Sequence, residues 1–376
     1  MTEIKNPTEK PIRALKRWIR QRLPFVYPLA APFFHKTVDM DLENAEKILQ
    51  VFSPRPAGDC FAENTLKKPF RYDLQIIVPA YNVEKYLREC MDSVLSQKTG
   101  YSYKVVLIDD GSTDSTPQIA DEYANDPRVK VIHQENRGFS GARNSGLKEI
   151  EAEYVTFLDS DDVLPEGAVQ YLMSAATQYD VDIVEGSHYF LSGNILTKHP
   201  CADHFSLTQP AGHLSGFPWG KVFRSEIFQD LRFPEGFWFE DTINVFLIYP
   251  VVEKACIIPD FVYIYRDNLS GITRTAASRP KCIDTYWITE FLAKERDRLH
   301  LPHDSAYQEM FLQQILLNAK RVGKTPKDVQ ESVFCLSCDL FCRLFDAELV
   351  PTVHGPLKRA LERRDFGAYK LYVLTH

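Results

Sequence analysis

The feature that most constrains this chain is an alternation, repeated between residues 74 and 178, of short apolar runs with segments of helical period. Leu74–Ala80 (LQIIVPA), Lys104–Asp109 (KVVLID), Val129–His133 and Tyr154–Leu158 (YVTFL) read as buried strands. Glu84–Gln97, with Leu87, Met91, Val94 and Leu95 on one face, Ser115–Tyr123, Gly141–Ile150 and Glu166–Gln178 read as the intervening helices. Pro117 suits the first turn of the second. Strands alternating with helices imply an α/β fold with a mostly parallel sheet and right-handed crossovers. Ligands of such sheets bind beyond the carboxyl ends of the strands. Three polar clusters fall there: Pro79–Asn82, Asp109–Asp114 and Asp159–Asp162.

Beyond this region the pattern changes. Ile183–Ser187 and Phe261–Tyr265 look like strands, and Ile243–Tyr249 like a helix that Glu240 and Asp241 open. After Pro280 the periodicity is helical through Tyr286–Leu292, Met310–Leu317 and Val333–Phe345, with Leu357–Leu374 as a last helix broken near Gly367. Before residue 70 the chain has Pro-rich breaks and a short helical patch at Leu42–Phe52. A net charge of −7 opposes a general nucleic-acid binder. The early cysteines are scattered and no signal peptide precedes them, so a disulfide framework is not expected. Cys335, Cys338 and Cys342 fall on one helix face among Leu336, Leu340 and Phe341; core packing is favoured over zinc, since no second ligand pair follows.

No apolar run is long enough to span a membrane. From Lys10 to Lys36, however, Arg13, Lys16, Arg17, Arg20 and Arg22 occur without an acidic residue, and Ile12, Leu15, Ile19 and Leu23 recur at helical spacing. Such a segment suits an anionic membrane surface, or packs on its own protein or a second subunit as an oligomer.

Three polar segments can carry chemistry. Asp159 and Asp161 offer hard oxygen donors to a divalent cation such as Mg²⁺, although an acidic loop after a strand is also common without one. In Asp109–Asp114 (DDGSTD), Gly111 allows a turn, Asp110 can accept hydrogen bonds from a base or ribose, and Asp114 can equally cap the next helix. The glycine-rich stretch Gln134–Asn144 brings small residues for close approach, and Arg137 and Arg143 for phosphate.

In this order and spacing, IIVPAYNVEKYLRECMDSVLSQ, VVLIDDGSTDST, NRGFSGARNSG and VTFLDSDD resemble the nucleotide-binding half of glycosyltransferase family 2, over about residues 74 to 190. The resemblance implies a GT-A fold, a nucleotide-sugar donor, Mg²⁺ or Mn²⁺, and inversion at the anomeric carbon. It places Pro79, Tyr81 and Glu84 around the nucleotide, Asp110 at the uracil or ribose, and Asp159 with Asp161 at the metal. Residues 236–241 (GFWFED) resemble the acceptor-side motif, with Asp241 as base and Glu240 in reserve. Trp219 and Lys221 fall in a segment resembling the sugar and acceptor pocket, where Trp219 can stack on a sugar. Arg266 and Arg274 resemble a loop closing on the diphosphate.

These readings divide the chain into an N-terminal extension (1–70), a GT-A catalytic domain (71–280) and a C-terminal helical region (281–376). They predict transfer from a UDP-sugar to a saccharide or lipid-linked saccharide in bacterial surface-glycan synthesis, in the cytoplasm or at the inner membrane face. A nucleotidyltransferase is opposed by PAYNVEKY after the first strand, where an Arg- and Lys-bearing glycine-rich loop would stand. A non-catalytic nucleotide- or sugar-binding module is the alternative of a different class.

Overall fold

Runs buried on both faces belong in a sheet covered on both sides, and the strands form accordingly. The computed structural model describes residues 33–210, 212–268, 271–351 and 353–376, without the side chains of Ile272 and Thr273. The strands are β1 (Tyr72–Ala80), β2 (Tyr103–Asp109), β3 (Val129–His133), β4 (Ala152–Phe157), β5 (Ile183–Ser192), β6 (Ile195–His199), β7 (Ser206–Thr208), β8 (Lys221–Arg224) and β9 (Ala255–Arg266). Helices α1 (Leu87–Leu95), α2 (Thr116–Tyr123), α3 (Gly138–Leu147) and α4 (Ala168–Tyr179) follow the first four strands. The sheet order is β3-β2-β1-β4-β8-β5-β9-β7, with β6 paired to β5.

Register positions the polar clusters. Parallel β1 and β2 set Ala80 opposite Asp109, so Tyr81 and Asp110 emerge together. Parallel β1 and β4 set Ile77 opposite Phe157, so Asp159 leaves from the same rim. Between β4 and β5, β8 runs antiparallel to both. Its first residue, Lys221, therefore stands at the end of β4 and opposite Glu185, near the start of β5. The sequence reading has no strand at β8, which is only four residues long and has Lys and Arg at its ends.

Helix α3 differs from the expected Gly141–Ile150: it starts at Gly138 and stops at Leu147, because Glu149–Ile150 pairs in parallel with Thr65–Leu66. A Cβ on Gly146 would stand 2.5 Å from Cγ2 of Ile77, so the small residue lets α3 sit close on β1 rather than close on a ligand.

Backbone contacts divide the described residues into two compact units: Pro56–Thr275 with Trp287–Leu301, and residues 33–55 with Ala276–Tyr286 and Pro302–His376. These differ from the sequence division. Phe61 bridges to Leu231 and the Asn64 amide bonds to Gln229, which ties residues before 70 to the sheet unit. Arg296 donates to the Phe246 carbonyl and Phe291 stacks on Phe237, which holds Trp287–Leu301 there too.

The helical unit contains Leu42–Phe52, capped by Asp41, Ser305–Val322, capped by Asp304, and Lys327–Leu344. The expected last helix is two, Gly355–Glu362 and Phe366–Thr375. The break falls before Gly367, where Arg364 adopts φ +50° and Asp365 caps the second helix through the Ala368 amide. Cys335 and Cys338 are buried in Lys327–Leu344, and burial raises both thiols; Cys342 is more exposed. Of the basic leader, residues 10–32 lie outside the described residues, and Lys36 pairs with Glu331. Among the described residues no helix is long and apolar enough to cross a membrane.

Candidate active site

Immediately after β4, the chain places three carboxylates within four residues. Asp162 is buried, accepting from the Tyr263 hydroxyl (2.7 Å) and the Arg266 amide (2.7 Å). Asn268 donates to Asp161 (2.9 Å), and the Arg266 guanidinium donates to the Asp161 carbonyl (2.8 Å) and to Glu89 (2.6 Å). Arg266 thus braces this loop from β9. Burial raises Asp161, and the Asp159 charge adds to it against the pull of Asn268. Burial pushes Asp162 well up, with Asp159 and Asp161 reinforcing the shift. Clustered carboxylates that resist ionising together offer hard oxygen donors for a divalent cation. Among the described residues no three His, Cys, Asp or Glu side chains make a ready cage, so a cation here would complete its shell from other ligands, as Mg²⁺ does with phosphates.

Arg143 connects this loop to the acceptor-side motif. It projects from α3, is buried, and donates to Asp159 (2.7 Å) on one side and to Glu240 on the other. The rings of Phe139 and Phe233 lie 5.9 and 5.5 Å from the guanidinium. Burial disfavours its charge, but Asp159 and Glu240 outweigh burial and hold it protonated. Glu240 is raised by burial, with Arg143 pulling it down and Asp241 pushing it up. Asn144, next on α3, clamps the Phe233 backbone through both amide atoms (2.9 Å each).

The acceptor-side segment has unusual backbone. Phe239 adopts φ +64°, a conformation rare for an aromatic residue, directly before Glu240 and the half-buried Asp241. The expected helix then forms as a π-turn over Asn244–Ile248 continued by Tyr249–Val251. Such backbone features concentrate at functional sites.

At the nucleotide end of the rim, Pro79 is buried in β1, whereas Tyr81 is 49% exposed and offers a ring beside the strand ends. Asp110 is buried, accepting from Gln134 (2.6 Å) and the Arg137 amide (2.9 Å); burial raises it and these donors oppose the shift. Asp109 is engaged by the Ser112 amide (3.1 Å) and by His133 (2.9 Å). Glu84 accepts from the Ser115 amide (3.0 Å) and Asp114 from the amides of Thr116 and Glu84 (2.9 and 3.2 Å). These two carboxylates fasten the loops to the start of α2.

Other expected residues stand elsewhere. Trp219 is only 8% exposed, stacked with Phe217, Tyr263 and Tyr265 at centroid distances of 4.7, 4.6 and 5.4 Å. It therefore has no open face for a sugar and instead backs the wall behind Tyr263. Lys221 is fully buried; its ammonium holds Ser215 (2.7 Å), the Phe217 carbonyl (2.9 Å) and Glu185 (3.3 Å), and the Asp241 charge also acts on it. Burial lowers its pKa while Glu185 opposes the shift. Arg137 is half-exposed and grips Glu235 (2.6 and 3.2 Å), and Arg274 grips Asp267 (2.5 and 2.7 Å). Asp162, Tyr263 and Asn268 were not expected as supports. Asp162 was visible beside Asp161, but Tyr263, about a hundred residues away, carried no local signal.

A GT-A type mostly parallel sheet with an acidic loop after its fourth strand defines a glycosyltransferase architecture. Residues 75–236 match the family model Glycosyl transferase family 2. Glycosyltransferase GlyG of Streptococcus pneumoniae is 32% identical over 221 residues, covering 54% of this chain and 73% of that protein. The minor teichoic acid biosynthesis protein GgaB of Bacillus subtilis is 27% identical over 279 residues, covering 71% of this chain and 31% of that protein. S. aureus TarS 1-349, solved in complex with UDP-GlcNAc, shares the fold with a TM-score of 0.66 at 22% identity, over 80% of this chain and 90% of that one. The chain belongs to glycosyltransferase family 2.

Proposed function

We propose that this protein is an inverting, metal-dependent hexosyltransferase that moves a sugar from a UDP-sugar to a hydroxyl of a saccharide or lipid-linked saccharide in surface-glycan synthesis. The observation that carries the reading is the Asp159–Arg143–Glu240 connection, which makes the carboxylates after β4 and the acceptor-side motif one polar assembly. UDP is favoured by the complex of TarS with UDP-GlcNAc, and surface glycans by the teichoic acid role of GgaB.

Asp159 and Asp161 would hold Mn²⁺ or Mg²⁺, which supplies positive charge to the departing diphosphate. Tyr81 offers a ring to the base, and Asp110, held between Gln134 and the Arg137 amide, faces the nucleoside. The Glu240 carboxylate is committed to Arg143, and the family's motif favours its second carboxylate, so Asp241 takes the proton from the acceptor hydroxyl as that oxygen attacks the anomeric carbon. Arg266 keeps the acidic loop in place from the protein side and need not touch phosphate to do so.

Two measurements on one variant test this. Asp241→Asn should retain Mn²⁺-dependent thermal stabilisation by UDP while transfer falls about 10²–10⁴-fold. Near-normal transfer by Asp241→Asn would remove Asp241 from the base role. A folded wild-type protein that no nucleotide stabilises, with Mn²⁺ or with EDTA, would leave a binding module on a transferase scaffold.

A further inference from the structure

A groove of about 360 Å³ opens beside the acidic loop, yet none of its lining residues belongs to the nucleotide or acceptor motifs. That volume lies within the range of small-ligand pockets, about 300–1,000 Å³. Pro165 and Glu166 line it only a few residues past Asp162, and the Val163–Ile264 bridge ties this stretch to β9. Its walls are aromatic. Tyr189 and Phe261 stack at 4.3 Å with an interplanar angle of 28°, and Tyr171, 44% exposed, stands on the first turns of α4.

Local backbone fixes these rings. Gly167 adopts φ +82°, and a Cβ there would stand 2.9 Å from Cε2 of Tyr171, so the ring lies where only glycine leaves room. The β9 register shifts between Ile258 and Phe261 and again before Tyr263, a bulge that includes Pro259 and Asp260 and re-aims Phe261. The Lys198 ammonium lies 5.3 Å from the Phe261 ring centre. The acidic groups among the lining residues, Glu166 and Asp260, are hydrogen-bond acceptors. An exposed aromatic face such as that of Tyr171 suits the C–H face of a pyranose, and carboxylates accept from its hydroxyls while repelling phosphate.

We propose that this groove is a second carbohydrate subsite, holding a neutral pyranose of the acceptor glycan against the exposed Tyr171 ring, with the Tyr189–Phe261 stack as the wall beside it. Naming that glycan as the acceptor rests on the transferase reading; affinity for a neutral saccharide does not.

The test is saturation-transfer NMR on the full chain with chitotriose, maltotriose and lactose, beside a separate titration of UDP with Mn²⁺. At least one saccharide should receive saturation from the wild-type protein. Tyr171→Ala should weaken its binding about tenfold, the loss expected for one well-placed aromatic contact, and Tyr171→Phe should keep it. Tyr171 is exposed enough that its loss leaves the core intact. No signal from any of the three sugars, or a signal unchanged in Tyr171→Ala, overturns the subsite. A Tyr171-dependent signal in a protein that fails to bind UDP keeps the groove and removes the transferase reading instead.

Discussion

Arg143 and Lys221 are both buried cations of the sheet unit, and they do opposite things. Arg143 spans two carboxylates from different functional segments, and those charges keep it protonated. Lys221 pairs with Glu185, a hydroxyl and a carbonyl, with the Asp241 charge also acting on it, and burial lowers its pKa against both carboxylates. A planar guanidinium can bond along two directions at once, whereas an ammonium is a compact charge. The difference separates joining from walling. Arg143 joins the donor and acceptor motifs, and Lys221 with Glu185 fastens the 215–217 backbone behind them.

The largest effect that breaks this contrast should come from Arg143→Ala, which leaves Asp159 and Glu240 facing each other. Urea unfolding should show a loss of roughly 3–5 kcal/mol, the range for removing one partner of a buried pair. Arg143→Lys should recover part of that stability without recovering transfer, because lysine cannot reach both carboxylates in the same geometry. An active Arg143→Lys protein would reduce the joining role to charge alone.

A smaller loss, roughly 1–3 kcal/mol, is expected for Lys221→Met, which strips donors from Ser215, Phe217 and Glu185. Adding Glu185→Gln should restore part of it, since the unpaired carboxylate is then gone. The smallest effect sharpens the comparison at alkaline pH. Because burial lowers the folded pKa of Lys221 below 10.5, rising pH removes a proton from the native state that the unfolded chain still holds. Wild-type stability relative to Lys221→Met should therefore grow as pH rises through the folded value toward 10.5, whereas Arg143 remains charged throughout. Paired melting curves at several alkaline pH values would show it; a constant difference would mean that Lys221 titrates as an ordinary lysine.

The sheet was legible wherever an apolar run stood between turn residues. Val129–His133 forms with its expected ends, and the expected Lys104–Asp109 gains only Tyr103. The positions of Asp110, Asp159 and Asp161 on one rim followed from the same alternation. Partners were not legible. Arg143 was expected at phosphate, but its carboxylates come from Asp159 and Glu240, and the latter is distant in sequence. Trp219 looked like a sugar platform because its segment resembles the sugar and acceptor pocket, a likeness that says nothing about which rings will cover it. Tyr263 and Tyr265 do so from β9. The strand β8 was hidden by its brevity, and the π-turn at Asn244–Ile248 has no periodic signature short of the full structure.

The reversed direction of β8 has an evolutionary consequence. Since β5 runs toward the rim and β8 runs away from it, the chain between them gives β6 to β5 and β7 to β9 before it re-enters the sheet at Lys221, opposite Glu185. Lengthening the exposed β5–β6 turn at Gly193 and Asn194 leaves the β5–β8 pairing in register, because neither strand has to move to accommodate it. Diversification can thus alter this turn without redesigning the frame beneath.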